Sequence, residues 1–242
     1  MFVASPGPST SSDALRARLE TVRARIARAC QRAGRPASSV TLIAVTKQAT
    51  AEQIREAMAL GLTEFGENRV HEAREKRQRL SGAAARWHLI GHLQRNKARL
   101  AAELFDVVHS VDSAALAAEL DRHVRQQGRR LDTLIQVNVS GEATKHGCRL
   151  EEARSLAEAV AALPGLAWSG LMTIAPLAED AEAARPHFRR LRQLRDELSD
   201  ALRVDRAALR LSMGMSQDFE IAIEEGADVV RIGTAIFPPA GG

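Results

Sequence analysis

The run Thr41-Leu42-Ile43-Ala44-Val45-Thr46-Lys47 decides the fold. It is short, mostly apolar and β-branched, and Pro36-Ala37-Ser38-Ser39 bounds it upstream, so it reads as a buried strand. Thr50 and Gln53 have the spacing of a capping box, which starts a helix almost at once. Lys47 therefore falls at the carboxyl end of a strand in a β-turn-α unit, the edge where parallel α/β folds build their sites. Alternation puts Lys47 on the face of Ile43 and Val45. The expectation is an amine among apolar neighbours, where the charged form is disfavoured and the neutral form can attack a carbonyl.

A lysine at a strand end ordinarily snorkels into water. Composition argues for more here, because only Lys47, Lys76, Lys97 and Lys145 are lysine among 34 basic residues. Where arginine fills nearly every generic basic position, a retained lysine points to a need for an amine that can lose its proton.

A chain of 242 residues that is 45% hydrophobic can bury one full core. No apolar run reaches about 18 residues, so no membrane span is expected. Residues 1–12 are rich in Ser, Pro and Gly, without a basic segment leading into an apolar one. They read as a disordered tail ahead of a single domain, 13–242, rather than as a signal peptide. Cys30 and Cys148 form no disulfide or metal framework, which suggests a cytoplasmic, reducing setting. The net charge is only +4 and tyrosine is absent. Arginines alternate with acids along amphipathic helices, so no nucleic-acid partner is expected.

Beyond the tail, Leu15, Leu19, Val22 and Ile26 form one apolar stripe on a helix from Asp13 to about Ala33. A repeated alternation follows. Strands are expected at 41–47, 63–65, 87–90, 104–110, 131–139, 166–174, 209–212 and 228–232, and helices at 51–60, to about 80, after Lys97, to about 127, 150–163, to about 202 and 217–225. Eight strands alternating with helices is the order of a (β/α)8 TIM barrel, with a doubly wound open sheet as the alternative. Pro238-Pro239 leaves little chain for a last helix, so the amino-terminal helix is expected to cover that gap.

The loops after strands seven and eight of such barrels frequently hold a phosphate. Here they read Ser212-Met213-Gly214-Met215-Ser216 and Arg231-Ile232-Gly233-Thr234. Their glycines and hydroxyls suit an anion, with a helix expected to begin near Ser216 or Thr234. An amine on strand one and a phosphate cradle on strands seven and eight are neighbours across the closure seam. The matching ligand is an aldehyde that carries a phosphate.

These segments, with Phe65-Gly66-Glu67-Asn68, Trp87-His88-Leu89-Ile90-Gly91-His92-Leu93-Gln94, Ser140-Gly141-Glu142, Lys145-His146-Gly147 and Gly170-Leu171-Met172-Thr173-Ile174, resemble the pyridoxal phosphate homeostasis proteins over nearly the whole chain. The resemblance implies a fold-type III barrel similar to the amino-terminal domain of alanine racemase, binding pyridoxal 5'-phosphate (PLP) as an aldimine on Lys47. Ser212, Gly233 and Thr234, with Met213 in the same segment, would hold the phosphate. Arg231 would lie near the pyridine nitrogen, and Asn68 and His88 would line the pocket. It also implies delivery of PLP to apo-enzymes without established turnover. Arg69 and His71 depart from the family pattern, where a tyrosine and a glutamine are expected.

Amino-acid racemisation is the competing reading. In the racemase relatives the second base is a tyrosine from an additional domain, and neither is present in this sequence. A Schiff-base aldolase ranks lower, because no carboxylate is evident beside Lys47. Lys145, in a Gly-bounded loop, is a candidate second amine. His92, His146 and Cys148 lack metal-ligand spacing, and a monomer or weak dimer is expected.

Overall fold

Each apolar run identified above becomes a strand, and the strands close on one another in chain order. In the computed structural model, which describes residues 11–80, 82 and 84–239, β1 (Thr41–Val45), β2 (Glu64–Glu67), β3 (Arg86–Leu89) and β4 (Val107–Val111) are followed by β5 (Leu131–Gln136), β6 (Leu166–Met172), β7 (Arg210–Ser212) and β8 (Val229–Ile232). All pair in parallel, and β1 pairs with β8 to complete a closed eight-stranded barrel. The open-sheet alternative is thereby excluded.

Seven helices follow the first seven strands: α2 (Ala51–Ala59), α3 (Val70–Arg79), α4 (Ala98–Leu104), α5 (Ala114–Gln126), α6 (Ala153–Ala161), α7 (Arg185–Leu202) and α8 (Phe219–Glu224). The reciprocal Thr50/Gln53 capping box forms as expected. The predicted helix after Thr234 does not: residues 234–236 make a turn, with the Ile236 and Phe237 N–H groups both on the Gly233 carbonyl.

The amino-terminal helix α1 (Ser11–Arg32) takes the place that turn leaves. Leu15, Leu19, Val22 and Ile26 are all buried, each contributing about 2 kcal/mol of apolar burial. Arg18 donates to the Ile236 carbonyl, while Arg25 and Arg32 pair with Glu220 and Glu224 of α8. Of the predicted tail, Ser11 and Ser12 already belong to this helix, and residues 1–10 lie outside the described residues. None of the described helices is long and apolar enough to cross a membrane.

The main apolar core lies between the barrel's outer surface and the helices. Inside the barrel, Val107, Leu134 and Met172 form a separate small cluster beside an unusually polar set. Glu64, His88, His109, Ser212 and Arg231 are linked to one another there by hydrogen bonds.

Candidate functional site

A cavity of about 310 Å³ opens at the carboxyl end of the barrel, within the range of small-molecule sites. Val45 and Lys47 line it from the end of β1, Asn68 from β2 and Ile90 from β3. The segment Ile174–Asp180 after β6, the segment Met215–Asp218 after β7, and Arg231, Gly233 and Thr234 from β8 complete the wall. A larger cleft of about 620 Å³ lies outside the barrel between α3 and α4, lined by Arg74, Arg77, Lys97 and Arg99 among others. It lies outside the barrel mouth where the fold builds its sites.

Lys47 is placed by the turn that ends β1. The strand stops at Val45, and the buried Thr46 donates its N–H to the Gly66 carbonyl and its hydroxyl to Glu67 Oε1, at 2.9 and 2.5 Å. Lys76 Nζ reaches from α3 to the same carboxylate at 2.7 Å and to the Thr46 carbonyl at 2.5 Å. Glu67 is fully buried; burial pushes its carboxyl up, while the Lys76 and Thr46 hydrogen bonds pull it down. Lys47 itself is exposed, which corrects the expectation of an apolar-packed amine. Two residues past the strand end, the pleat no longer dictates its direction, and its side chain borders open space on the cavity rim.

Asn68 sits where β2 leaves the barrel, and its backbone is braced by the chain after β3. A Cβ on Gly91 would stand 2.2 Å from the Asn68 carbonyl oxygen, so only glycine allows this close approach. At the other side of the mouth, Gly214 has φ +94° and accepts the Arg231 N–H on its carbonyl at 3.0 Å. Ser216 then reaches the cavity.

Arg231 is the buried cation of the site, 3% exposed. It donates to Ser212 Oγ at 2.7 Å and to the Thr173 carbonyl at 2.8 Å. Burial pulls the guanidinium down to about 10, with Asp218 acting in the opposite direction, so it remains cationic at neutral pH. Asp218 lines the cavity too; burial raises its carboxyl, opposed by the Met215 N–H it accepts and by the Arg231 charge.

Of the residues singled out from sequence, the structure brings Lys47, Asn68, Arg231, Gly233 and Thr234 around one cavity. Ser212, Met213 and His88 are not on its wall. Ser212 is the last residue of β7 and points into the barrel, where its hydroxyl is engaged by Arg231 and by His109 Nδ1 at 2.9 Å. Met213 is fully buried in the core, and the serine at the cavity is Ser216. His88 lies inside the barrel between Glu64 and His109. Its strand reading was sound, but strand alternation turns the ring toward the barrel axis below the cavity. His109 escaped the sequence reading, because β4 is buried along its whole length, which hides a polar partner; Ser216 stood within the expected phosphate segment, but the sequence alone does not separate its role from that of Ser212.

Lys145 is half-buried in a loop wound around Asn138, whose amide donates to the Glu142 carbonyl at 2.9 Å. It is not on the cavity wall. The neighbouring His146 ring stacks on His92 at 4.0 Å. Among the described residues, no group of three His, Cys, Asp or Glu is placed to hold a metal ion.

Residues 17–239 match the alanine racemase N-terminal domain family, which defines the class of barrel. An alanine racemase of Clostridium difficile 630 superposes with a TM-score of 0.73 at 15% identity, over 93% of this chain and 56% of that one, a likeness of fold alone. The pyridoxal phosphate homeostasis protein of Aquifex aeolicus is 45% identical over 220 residues, 91% of this chain and 96% of its own. PipY of Synechococcus elongatus PCC7942, solved with PLP bound, is 39% identical with a TM-score of 0.81, over 92% of this chain and 99% of that one. The chain belongs to the pyridoxal phosphate homeostasis protein family.

Proposed function

We propose that this chain binds PLP at the mouth of the barrel, holds it covalently through Lys47 and passes it to apo-enzymes. The observation that carries the reading is one cavity walled by a free-standing primary amine, two hydroxyl-and-glycine turns and a buried guanidinium. PLP supplies an aldehyde, a phosphate and a pyridine ring, and each has a counterpart in that wall. Lys47 Nζ is the amine that would hold the aldehyde, as a Schiff base formed with loss of water. Ser216, Gly233 and Thr234 offer hydroxyl and backbone donors to the phosphate. Arg231 would lie near the ring nitrogen; a guanidinium has donors and no lone pair, so it would oppose protonation of that nitrogen and weaken the ring as an electron sink.

That electronic setting supports a carrier over a catalyst. The exposure of Lys47 supports the same conclusion, since an incoming amine or water can reach the linkage and displace it. Racemisation needs a second base, and no tyrosine is present to serve as one. Both cysteines are free and buried, in keeping with action in a reducing cytoplasm. The expected assembly is a monomer or weak dimer, read by light scattering across concentration.

The test is the near-visible spectrum of the purified protein titrated with PLP, beside Lys47→Ala, followed by transfer from loaded protein to an apo-enzyme whose activity reports uptake. The reading expects a band absent from the variant, and transfer faster than release into buffer containing a PLP trap. Transfer no faster than trapped release would leave a binder without a delivery role.

A further inference from the structure

Arg231 is joined to the opposite end of the barrel by an unbroken hydrogen-bond chain. Its guanidinium donates to Ser212 Oγ at 2.7 Å; Ser212 Oγ lies 2.9 Å from His109 Nδ1; His109 Nε2 lies 2.9 Å from His88 Nδ1; and His88 Nε2 lies 2.6 Å from Glu64 Oε2. His88, His109, Ser212 and Arg231 are buried, while Glu64 is only half-buried, with 24% of its side chain exposed at the amino-terminal rim.

The ends fix the direction. Arginine can only donate and an ionised carboxylate can only accept. Burial lowers the affinity of both imidazoles for a second proton, more so for His109; at His88 the Glu64 hydrogen bond and charge oppose this without overcoming it, while Arg86 and Arg210 act with burial on both rings and Arg231 on His109. Arg86 is itself paired with Asp132. Glu64 is pushed up by burial, but His88, Arg86 and Arg210 hold it below its ordinary value. With Glu64 ionised, His88 must carry its proton on Nε2 and accept on Nδ1. His109 must then also carry its proton on Nε2, and Ser212 must donate to His109 Nδ1. Every dipole in the chain points its negative end at Arg231.

We propose that Glu64, His88, His109 and Ser212 are positioning residues for Arg231, a one-directional chain that orients its guanidinium toward the cavity and carries the compensating charge of Glu64 across the barrel. Its consequence for a ligand rests on the reading that the cavity takes PLP with Arg231 against the ring. Asp218 already opposes the Arg231 charge from the cavity side; the chain adds Glu64 from the other end, because so deeply buried a cation is costly and polarised chains of this kind strengthen one another.

Two measurements test it. Long-range 15N–1H spectra of the imidazoles in the full chain without PLP should show both His88 and His109 as neutral Nε2–H tautomers at pH 7. A cationic ring or an Nδ1–H tautomer at either position overturns the chain. In the PLP-loaded protein, Glu64→Gln keeps an acceptor for His88 but removes the charge. The stronger uncompensated positive field then disfavours a protonated linkage at Lys47, so the pH midpoint of its absorption band should fall by about half a unit. An unchanged midpoint, with PLP still bound, overturns the coupling. Should Glu64→Gln not fold, Ser212→Ala breaks the same chain next to Arg231 while Glu64 keeps its charge, so a smaller fall in the same direction is expected, and an unchanged midpoint there overturns the coupling. If the wild type takes up no PLP, the pocket reading fails, and the histidine tautomers alone decide the chain.

Discussion

Lys76 is ion-paired with Glu67 at 2.7 Å directly behind the turn that carries Lys47, and the same ammonium holds the Thr46 carbonyl. A compact point charge with several donors fits this junction, where a planar guanidinium would not. Lys76→Met leaves Glu67 buried without its counter-charge, and urea unfolding at pH 7 should show a loss of about 3 kcal/mol. The sign with pH follows from the burial that already raises Glu67. A carboxyl whose folded-state value is raised stabilises at low pH and loses that contribution as pH rises through its folded value. The deficit of Lys76→Met should therefore shrink in acid, where Glu67 is protonated in both states. A deficit that grows on acidification would contradict this account of the junction.

The two serines of the β7 segment should separate cleanly. Ser216→Ala should weaken PLP about tenfold while leaving pyridoxal, which lacks the phosphate, unaffected, as expected for loss of one charge-assisted hydrogen bond. Ser212→Ala should leave the PLP-to-pyridoxal affinity ratio unchanged and lower stability by about 2 kcal/mol, because a buried Arg231 donor loses its acceptor. Fluorescence titration of the two ligands against both variants reads the ratio directly.

At the outer ring, Glu225 is nearly buried and receives Arg185, Arg189 and Arg192. Burial raises its carboxyl, but the Arg189 and Arg185 hydrogen bonds and the arginine charges hold it below its ordinary value. A depressed carboxyl contributes stability at neutral pH that is lost as pH falls through its folded-state value. Glu225→Gln should lower the melting temperature at pH 7 and bring the variant and wild-type melting curves together in acid. Curves that stay parallel down to pH 3 would remove Glu225 from the acid transition.

Helix α1 completes the helical ring, so removing residues 1–35 should uncover the apolar surfaces of α2 and α8 and produce aggregation. A soluble truncated chain that melts cooperatively would show that α1 is an ornament rather than part of the barrel's wall.

What was legible in the sequence was whatever depends on near neighbours. The 3.6-residue stripe of Leu15, Leu19, Val22 and Ile26 and the Thr50/Gln53 cap read correctly because helix periodicity and capping are local. Element order pointed to a barrel but left an open sheet possible; closure rests on the β1–β8 pairing, which joins the two ends of the chain. Lys47, Asn68, Arg231, Gly233 and Thr234 converge because each stands at a strand's carboxyl end. Ser212 turns its hydroxyl into the barrel toward Arg231 and His109, a direction the sequence does not give, because a strand's last residue and the loop beyond it differ in direction and parity near a strand end is set by where pairing stops. β5 is shorter than the expected 131–139 for a related reason: after Gln136 the chain folds back, with only an isolated bridge between Val137 and Cys148. Lys76 shows that a retained lysine need not be a nucleophile. The His88–His109 pairing joins β3 to β4 inside the barrel, a contact that no spacing along the chain announces.

The most direct measurement is borohydride reduction of the PLP-loaded protein followed by peptide mapping. The account predicts that a single pyridoxyl group is fixed on Lys47, and that Lys47→Ala acquires none there or at Lys145. A label on another lysine at comparable yield, or a wild-type protein that gains no reducible band in excess PLP, would contradict the assignment of the barrel mouth as the site that holds the cofactor.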